Sequence, residues 1–261
     1  MSIFSTPGRE GDARLLTLEN PAFISDLHLT RDAPDTLAGF FRFMEGPALD
    51  YAELVILGDF FNYWIGDDAS FTVAEVTRAL KTYSDTGRRL FLMQGNRDFL
   101  MGADYARECG ATLLADPVAA DVNGTRLLLS HGDMWCTNDP GYQKVRARLR
   151  SRWWQWCALR LSLKKRLSIA ENARRKSRAE KVTKSREITD VVPAAYREAL
   201  SLTGATIVIH GHTHRPAVHE DEGGIVRAVL PDWAFEGERC LRGGWLAICD
   251  GRPTAFGPEY L

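Results

Sequence analysis

The chain has 261 residues, 45% of them hydrophobic, enough for one large domain or a domain with a substantial insert. The formal net charge of −1 singles out no partner, and no uncharged run approaches the ~18 apolar residues of a membrane span. Five cysteines, an odd number without a C-x-x-C pair, argue against a disulfide framework and for reduced thiols in a cytosolic protein.

Residues 1–20 read as a loose N-terminal extension, without the basic start and long apolar run of a signal peptide. From residue 21 short apolar runs recur, each ending in a polar cluster. Pro21–Ser25 leads into Asp26, Leu54–Leu57 into Gly58-Asp59, Leu90–Met93 into Gly95-Asn96, Leu127–Ser130 into His131, and Ala205–Ile209 into His210. Such runs predict buried strands. Amphipathic stretches at 36–45 and 70–84 predict helices between the early ones, which implies α/β layering around a largely buried sheet. Asn123-Gly124 between two apolar runs predicts a hairpin turn, and the Gly-rich text from 217 to 257 predicts further strands.

Residues 144–186 differ in kind. They hold 16 Lys or Arg against Glu171 and Glu180, a charge of +14, so the remaining 17 basic and 32 acidic residues sum to −15. A balanced total thus conceals a strongly polarised chain. The segment lacks Pro and Gly and carries Trp153, Trp154, Trp156, Leu159, Leu161 and Leu163, which predicts helices with an apolar side. A basic helical insert, or lid, is expected at about 139–190. It reads as a surface for phosphates and an anionic membrane, or as a solvated basic face with the Trp residues buried.

The five polar clusters carry the chemistry. They are Asp26-Leu27-His28, Gly58-Asp59, Gly95-Asn96-Arg97-Asp98, His131-Gly132-Asp133 and Gly211-His212-Thr213-His214. Each follows the C-terminal end of an apolar run, where strand ends of an α/β sheet gather in one crevice. Asp, His and Asn donors without Cys suit Mn²⁺, Fe²⁺, Zn²⁺ or Mg²⁺. Asp26 and His28 are two apart, as are His212 and His214, so extended backbone would point each pair to one face. A carboxylate such as Asp59 has two oxygens with which to bridge two ions.

D-x-H, G-D, G-N-R-D, H-G-D and G-H-x-H, in this order over residues 21–216, resemble the calcineurin-like metallophosphoesterases. The resemblance implies a sandwich of two mixed β-sheets flanked by helices, with a helical lid insert. It also implies one ion held by Asp26, His28, Asp59 and His214, and a second by Asp59, Asn96, His131 and His212. Finer motifs are Ser25–Leu29, Gly58–Phe61 with Trp64–Asp68, Gly95–Leu100, Cys136–Asp139 with Tyr142-Gln143, Glu187–Val191 and His210–Pro216. These are similar to the UDP-2,3-diacylglucosamine hydrolase family of bacterial lipid A synthesis. That family implies cleavage of a lipid-linked nucleotide pyrophosphate, two Mn²⁺ ions, and a peripheral location on the cytoplasmic face of the inner membrane.

By the same resemblance, Asp59, Asn96 and Arg97 act in catalysis, with Arg97 on a substrate phosphate; the alternative for Arg97 is a structural ion pair. Asp139 and Tyr142 match positions that contact the nucleotide and sugar. Ser177 and Lys184 match insert positions of the substrate site, beside Lys181, where the family pattern commonly has Asn. Asn96 and His212 are expected to touch substrate as well as metal. His210 either backs the ligands or faces substrate, and Asp98 and Asp133 are candidates for orienting them. The expected reaction is attack on phosphorus by a metal-activated water. The alternatives are another phosphoesterase, acting on a nucleotide, phosphoprotein or nucleic acid, and a non-catalytic scaffold. Neither a nucleic-acid partner nor an obligate protein partner is expected.

Overall fold

A computed structural model describes residues 15–183, 188–221 and 223–261. Its strands are β1 (Leu16–Leu18), β2 (Pro21–Ile24), β3 (Glu53–Leu57), β4 (Arg89–Met93), β5 (Ala111–Leu114), β6 (Val118–Val122), β7 (Thr125–Ser130), β8 (Ile207–His210), β9 (Ala217–Glu220), β10 (Val226–Val229), β11 (Ala234–Glu236), β12 (Arg239–Arg242), β13 (Trp245–Cys249) and β14 (Arg252–Phe256). Its α-helices are α1 (Pro34–Glu45), α2 (Ala74–Asp85), α3 (Ala103–Glu108), α4 (Pro140–Leu149), α5 (Arg152–Leu159), α6 (Leu163–Thr183) and α7 (Pro193–Thr203).

The strands form two six-stranded mixed sheets, ordered β14-β13-β2-β3-β4-β5 and β1-β6-β7-β8-β10-β9, with β11-β12 as a separate hairpin. β2, β3, β4 and β5 run parallel in the first, and β7, β8 and β10 run parallel in the second. The architecture is therefore a sandwich. This is the sandwich of two mixed sheets that the resemblance implies, and the site lies where strand ends from both sheets meet.

Each central strand is buried on both faces, which explains why it reads as an unbroken apolar run. On β3, Val55 and Leu57 point between the sheets, where they meet Phe23, Phe91, Met93, Leu127, Leu129, Ile207 and Ile209. Leu54 and Ile56 point the other way, into a layer with Phe40 and Phe43 of α1 and Leu80 of α2. On the outer face of the second sheet, Leu128 and Val208 pack with Tyr196 and Leu200 of α7. Asn123 and Gly124 join β6 to β7 with φ of 51° and 88°, as a two-residue hairpin turn requires.

The basic segment forms α4, α5 and α6, which pack near the strand ends. Ser151 caps α5, its Oγ accepting the Trp154 N–H, and Asp139 caps α4, accepting that of Tyr142 at 3.0 Å. Arg166 of α6, 6% exposed, fixes the helix to the strand-end loops through Asp68 and the carbonyl of Ile65. Trp154 lies against Phe99, whereas Trp153 and Trp156 are 74% and 53% exposed, so these two are not core residues.

Candidate metal centre

The loops after β2, β3, β4, β7 and β8 bring all seven candidate ligands together. Asp26, His28 and His214 form one group, and Asp26, Asp59 and His131 another, each with its donor atoms mutually within 4.8 Å. His214 Nε2 lies 3.3 Å from Asp26 Oδ1 and 3.3 Å from His28 Nε2. On the other side Asn96 Oδ1 lies 3.0 Å from His131 Nε2 and 2.8 Å from His212 Nδ1. Asp59 stands between the two sides. Its Oδ1 is 3.6 Å from His131 Nε2, and its Oδ2 is 3.9 Å from His28 Nδ1.

The local backbone differs from the extended one expected from two-residue spacing. Asp26, His28, Asp59, His212 and His214 all have positive φ, between 49° and 66°. Left-handed turns at non-glycine residues are uncommon and cluster at functional sites. They also separate the two histidines of the last motif: His214 turns to Asp26 and His28, and His212 to Asn96 and His131.

Backbone hydrogen bonds hold these turns. Asp26 N donates to Gly58 O at 3.1 Å, His28 N to Asp59 O at 3.0 Å, and Gly211 N to His131 O at 3.1 Å. Asp98 gathers the β3 and β4 loops, its carboxylate accepting the N–H groups of Gly95, Asp59, Phe60 and Phe61. Thus Asp98 orients Asp59 through the main chain. Asp133 instead pairs with Arg146 at 2.8 Å and accepts the Tyr142 hydroxyl at 2.7 Å, which anchors α4.

The donor atoms fit cations. His131 Nδ1 lies 2.9 Å from the Leu57 carbonyl, which can only accept, so Nδ1 carries the proton. In the neutral ring Nε2 then directs a lone pair at Asn96 Oδ1 and toward Asp59, an arrangement of acceptors that a cation satisfies. Asp26 Oδ1 is buried and makes no hydrogen bond to a described residue. Protonation energetics agree. Burial lowers the His131 pKa, but the carboxylates of Asp59, Asp26, Asp133 and Asp116 outweigh it and raise the net value. Burial and the adjacent His131 push His212 down to about 3, leaving it a neutral donor. Burial also works to raise Asp26, but the adjacent His214 and the nearby imidazoles of His131 and His28 hold it well below the ordinary carboxylate range.

The remaining candidates are placed unevenly. Arg97 donates its N–H to Asp59 Oδ1 at 2.8 Å, and its Nε is 3.3 Å from Asp59 Oδ2. Tyr142 stacks beside His212 at 6.0 Å and 29°. Asp139 caps α4, and Ser177 is exposed on α6. Lys181 belongs to α6, its side chain outside the described residues, and Lys184 lies outside them altogether. His210 is fully buried against Trp135, so it backs the ligands; burial lowers its pKa to about 4.

Sequence reading missed several supports. Asp116 accepts the Ser130 hydroxyl at 2.5 Å and the His131 N–H at 3.3 Å. Asp232 Oδ2 lies 3.4 Å from His214 Nδ1. Arg150 donates to the carbonyls of Gln94 and Gly95, beside Asn96. The acids stand alone in sequence, and only a charge run marked Arg150.

The family model of calcineurin-like phosphoesterases matches residues 21–216. The chain belongs to this family. Within it the chain is 46% identical to the UDP-2,3-diacylglucosamine hydrolase of Aeromonas salmonicida, covering 82% of this chain and 86% of that one. It is 43% identical to the enzyme of the same name from Aeromonas hydrophila, over 82% and 91% of the two chains. A third, from Azotobacter vinelandii, is 43% identical over 87% and 93%. The protein is thus a member of the UDP-2,3-diacylglucosamine hydrolase family, a group of metallophosphoesterases.

Proposed function

We propose that the protein hydrolyses the pyrophosphate bond of UDP-2,3-diacylglucosamine to UMP and 2,3-diacylglucosamine 1-phosphate in lipid A biosynthesis. The observation that carries this reading is the pair of donor groups that share Asp26 and flank Asp59, whose two oxygens face His131 and His28, in a chain whose relatives bear that enzyme's name. Asp26, His28, Asp59 and His214 hold one divalent ion, and Asp59, Asn96, His131 and His212 the second, Mn²⁺ being the family's usual metal. Such a pair, when bound, activates a water for in-line attack and neutralises phosphoryl charge. Arg97, partly paired with Asp59, offers the rest of its guanidinium to the phosphoryl oxygens. A leaving phosphate needs no strong acid, so no side chain is assigned as proton donor.

Asn96, Arg97, Asp139, Tyr142, Ser177, Lys181, Lys184 and His212 form the substrate-binding set. The position of Tyr142 beside His212 supports α4 as a wall of that site. Among the described residues no helix is long and apolar enough to cross a membrane. The basic insert, with Trp153, Trp156, Leu159 and Ile169 exposed, suits the acyl chains and an anionic leaflet. We therefore infer peripheral attachment at the cytoplasmic face of the inner membrane.

The deciding experiment is product identification with UDP-2,3-diacylglucosamine in ¹⁸O-labelled water, with dinucleotides and phosphopeptides in parallel. UMP release from the lipid substrate, with label in one phosphate product, is expected. Turnover of the other substrates without UMP release overturns the reading. Salt-dependent sedimentation with anionic but not neutral vesicles tests the membrane component.

A further inference from the structure

We infer that Asp232 is the positioning residue that fixes the tautomer and ring plane of His214, leaving Nε2 of that imidazole directed at Asp26 and His28. This rests on the two-metal reading of the site.

The placement follows from sheet topology. β10 lies parallel to β8, with Val229 in register with His210, so the residues beyond both strands emerge side by side. Leu230 N donates to His210 O at 2.8 Å, and Trp233 N donates to Asp26 O at 3.2 Å. The segment between them is tied to two ligand loops, and Asp232 is held in the gap, 5% exposed. Its Oδ2 lies 3.4 Å from His214 Nδ1 and 3.0 Å from Arg242 Nε.

A carboxylate accepts and does not donate, so the shared proton belongs to Nδ1 of His214. The lone pair then falls on Nε2, which is 3.3 Å from Asp26 Oδ1. A neutral imidazole unassisted divides between two tautomers, and only one of them presents a lone pair at Nε2. His131 is fixed in the same sense by the Leu57 carbonyl. Each side of the centre therefore has one histidine locked through Nδ1, by a peptide oxygen on one side and a carboxylate on the other. The carboxylate additionally raises the basicity of the ring as a ligand. Arg242 Nε donates to the same Asp232 oxygen at 3.0 Å, which holds the carboxylate in place beside the ring. Arg242, on β12, thereby steadies a metal ligand it does not touch.

The test is a Mn²⁺ titration of metal-stripped wild type, Asp232→Asn and Asp232→Ala, with the His214 tautomer read from ¹⁵N shifts assigned against His214→Gln. Wild type is expected to bind two ions and to carry the proton on Nδ1 of His214. Asn keeps an acceptor oxygen without the charge. One of the two sites should therefore weaken about 10-fold in Asp232→Asn and up to about 100-fold in Asp232→Ala, the other staying unchanged. Unchanged isotherms in both variants overturn the inference, as does a wild-type His214 protonated at Nε2. Wild type that binds no Mn²⁺ overturns the two-metal reading instead, and the tautomer still decides the role of Asp232. Should the Ala variant not fold, the Asp232→Asn isotherm and the wild-type tautomer decide between the same two outcomes.

Discussion

Arg97 holds Asp59 at two points, donating its backbone N–H to Oδ1 at 2.8 Å and setting its Nε 3.3 Å from Oδ2. The backbone bond survives any side-chain change at position 97, so the carboxylate keeps its main-chain anchor in an Arg97 variant. Arg97→Ala is therefore expected to lower kcat by about 10²- to 10³-fold, the usual effect of losing one donor to a developing oxyanion. Mn²⁺ affinity should hold or rise, because a competing cation leaves Asp59. Arg97→Lys should recover little, since an ammonium lacks the planar fork. Steady-state kinetics and metal titration check this; a tenfold loss of Mn²⁺ affinity would make Arg97 a structural residue.

Asp59 faces both donor groups, so removing it should disable both. Asp59→Ala is expected to abolish turnover and to weaken both Mn²⁺ sites together, and chelation should silence the wild type until Mn²⁺ is restored. Full activity in Asp59→Ala would sink the shared-ligand assignment.

The strands were legible because burial on both faces writes unbroken apolar runs, as in Leu54–Leu57, and the helical insert because sixteen basic residues crowd one segment. The convergence of the five clusters was legible because each follows such a run. Their geometry was not: Asp26 and His214 are non-glycine residues with positive φ, which sequence does not mark. Nor were Asp116, Asp232 and the Arg166–Asp68 pair, where single side chains meet across long stretches of chain. The division into two sheets also lay beyond local patterns, since it depends on which strands pair.

Gly211 precedes His212 at a close approach of two loops. A Cβ there would stand 2.2 Å from both Asp26 Oδ2 and Ser25 Oγ, the atoms that hold one another at 2.6 Å. Asp26 Oδ2 also accepts the His212 N–H at 2.8 Å, so a methyl group would push a ligand and its neighbour apart. Gly211→Ala is expected to cost about 1–3 kcal/mol of stability, as overpacking in a tight interior does. Mn²⁺ binding should fall as well. Thermal melts with and without Mn²⁺ separate the two: a variant with wild-type melting and metal binding would show that the loops yield freely.

Arg166 ties α6 to the loop that follows β3. Its Nε donates to Leu161 O at 3.0 Å, Nη1 to Asp68 Oδ1 at 2.8 Å, and Nη1 also meets the Ile65 carbonyl. Asp68 is largely exposed, so the two carbonyls depend on Arg166 more than Asp68 does. Arg166→Met keeps the aliphatic stem and removes every donor, at an expected cost of about 1–3 kcal/mol. Asp68→Asn should cost less, because both carbonyl bonds persist. The Arg166 hydrogen bond holds the Asp68 carboxyl below its ordinary value of 3.8, so the ion pair is intact at neutral pH and is lost only as pH falls below that value. If α6 forms a wall of the substrate site, Arg166→Met should raise KM for the lipid substrate more than it lowers kcat, and should speed hydrogen exchange at the start of α6. Faster exchange with unchanged KM would separate the helix from substrate binding.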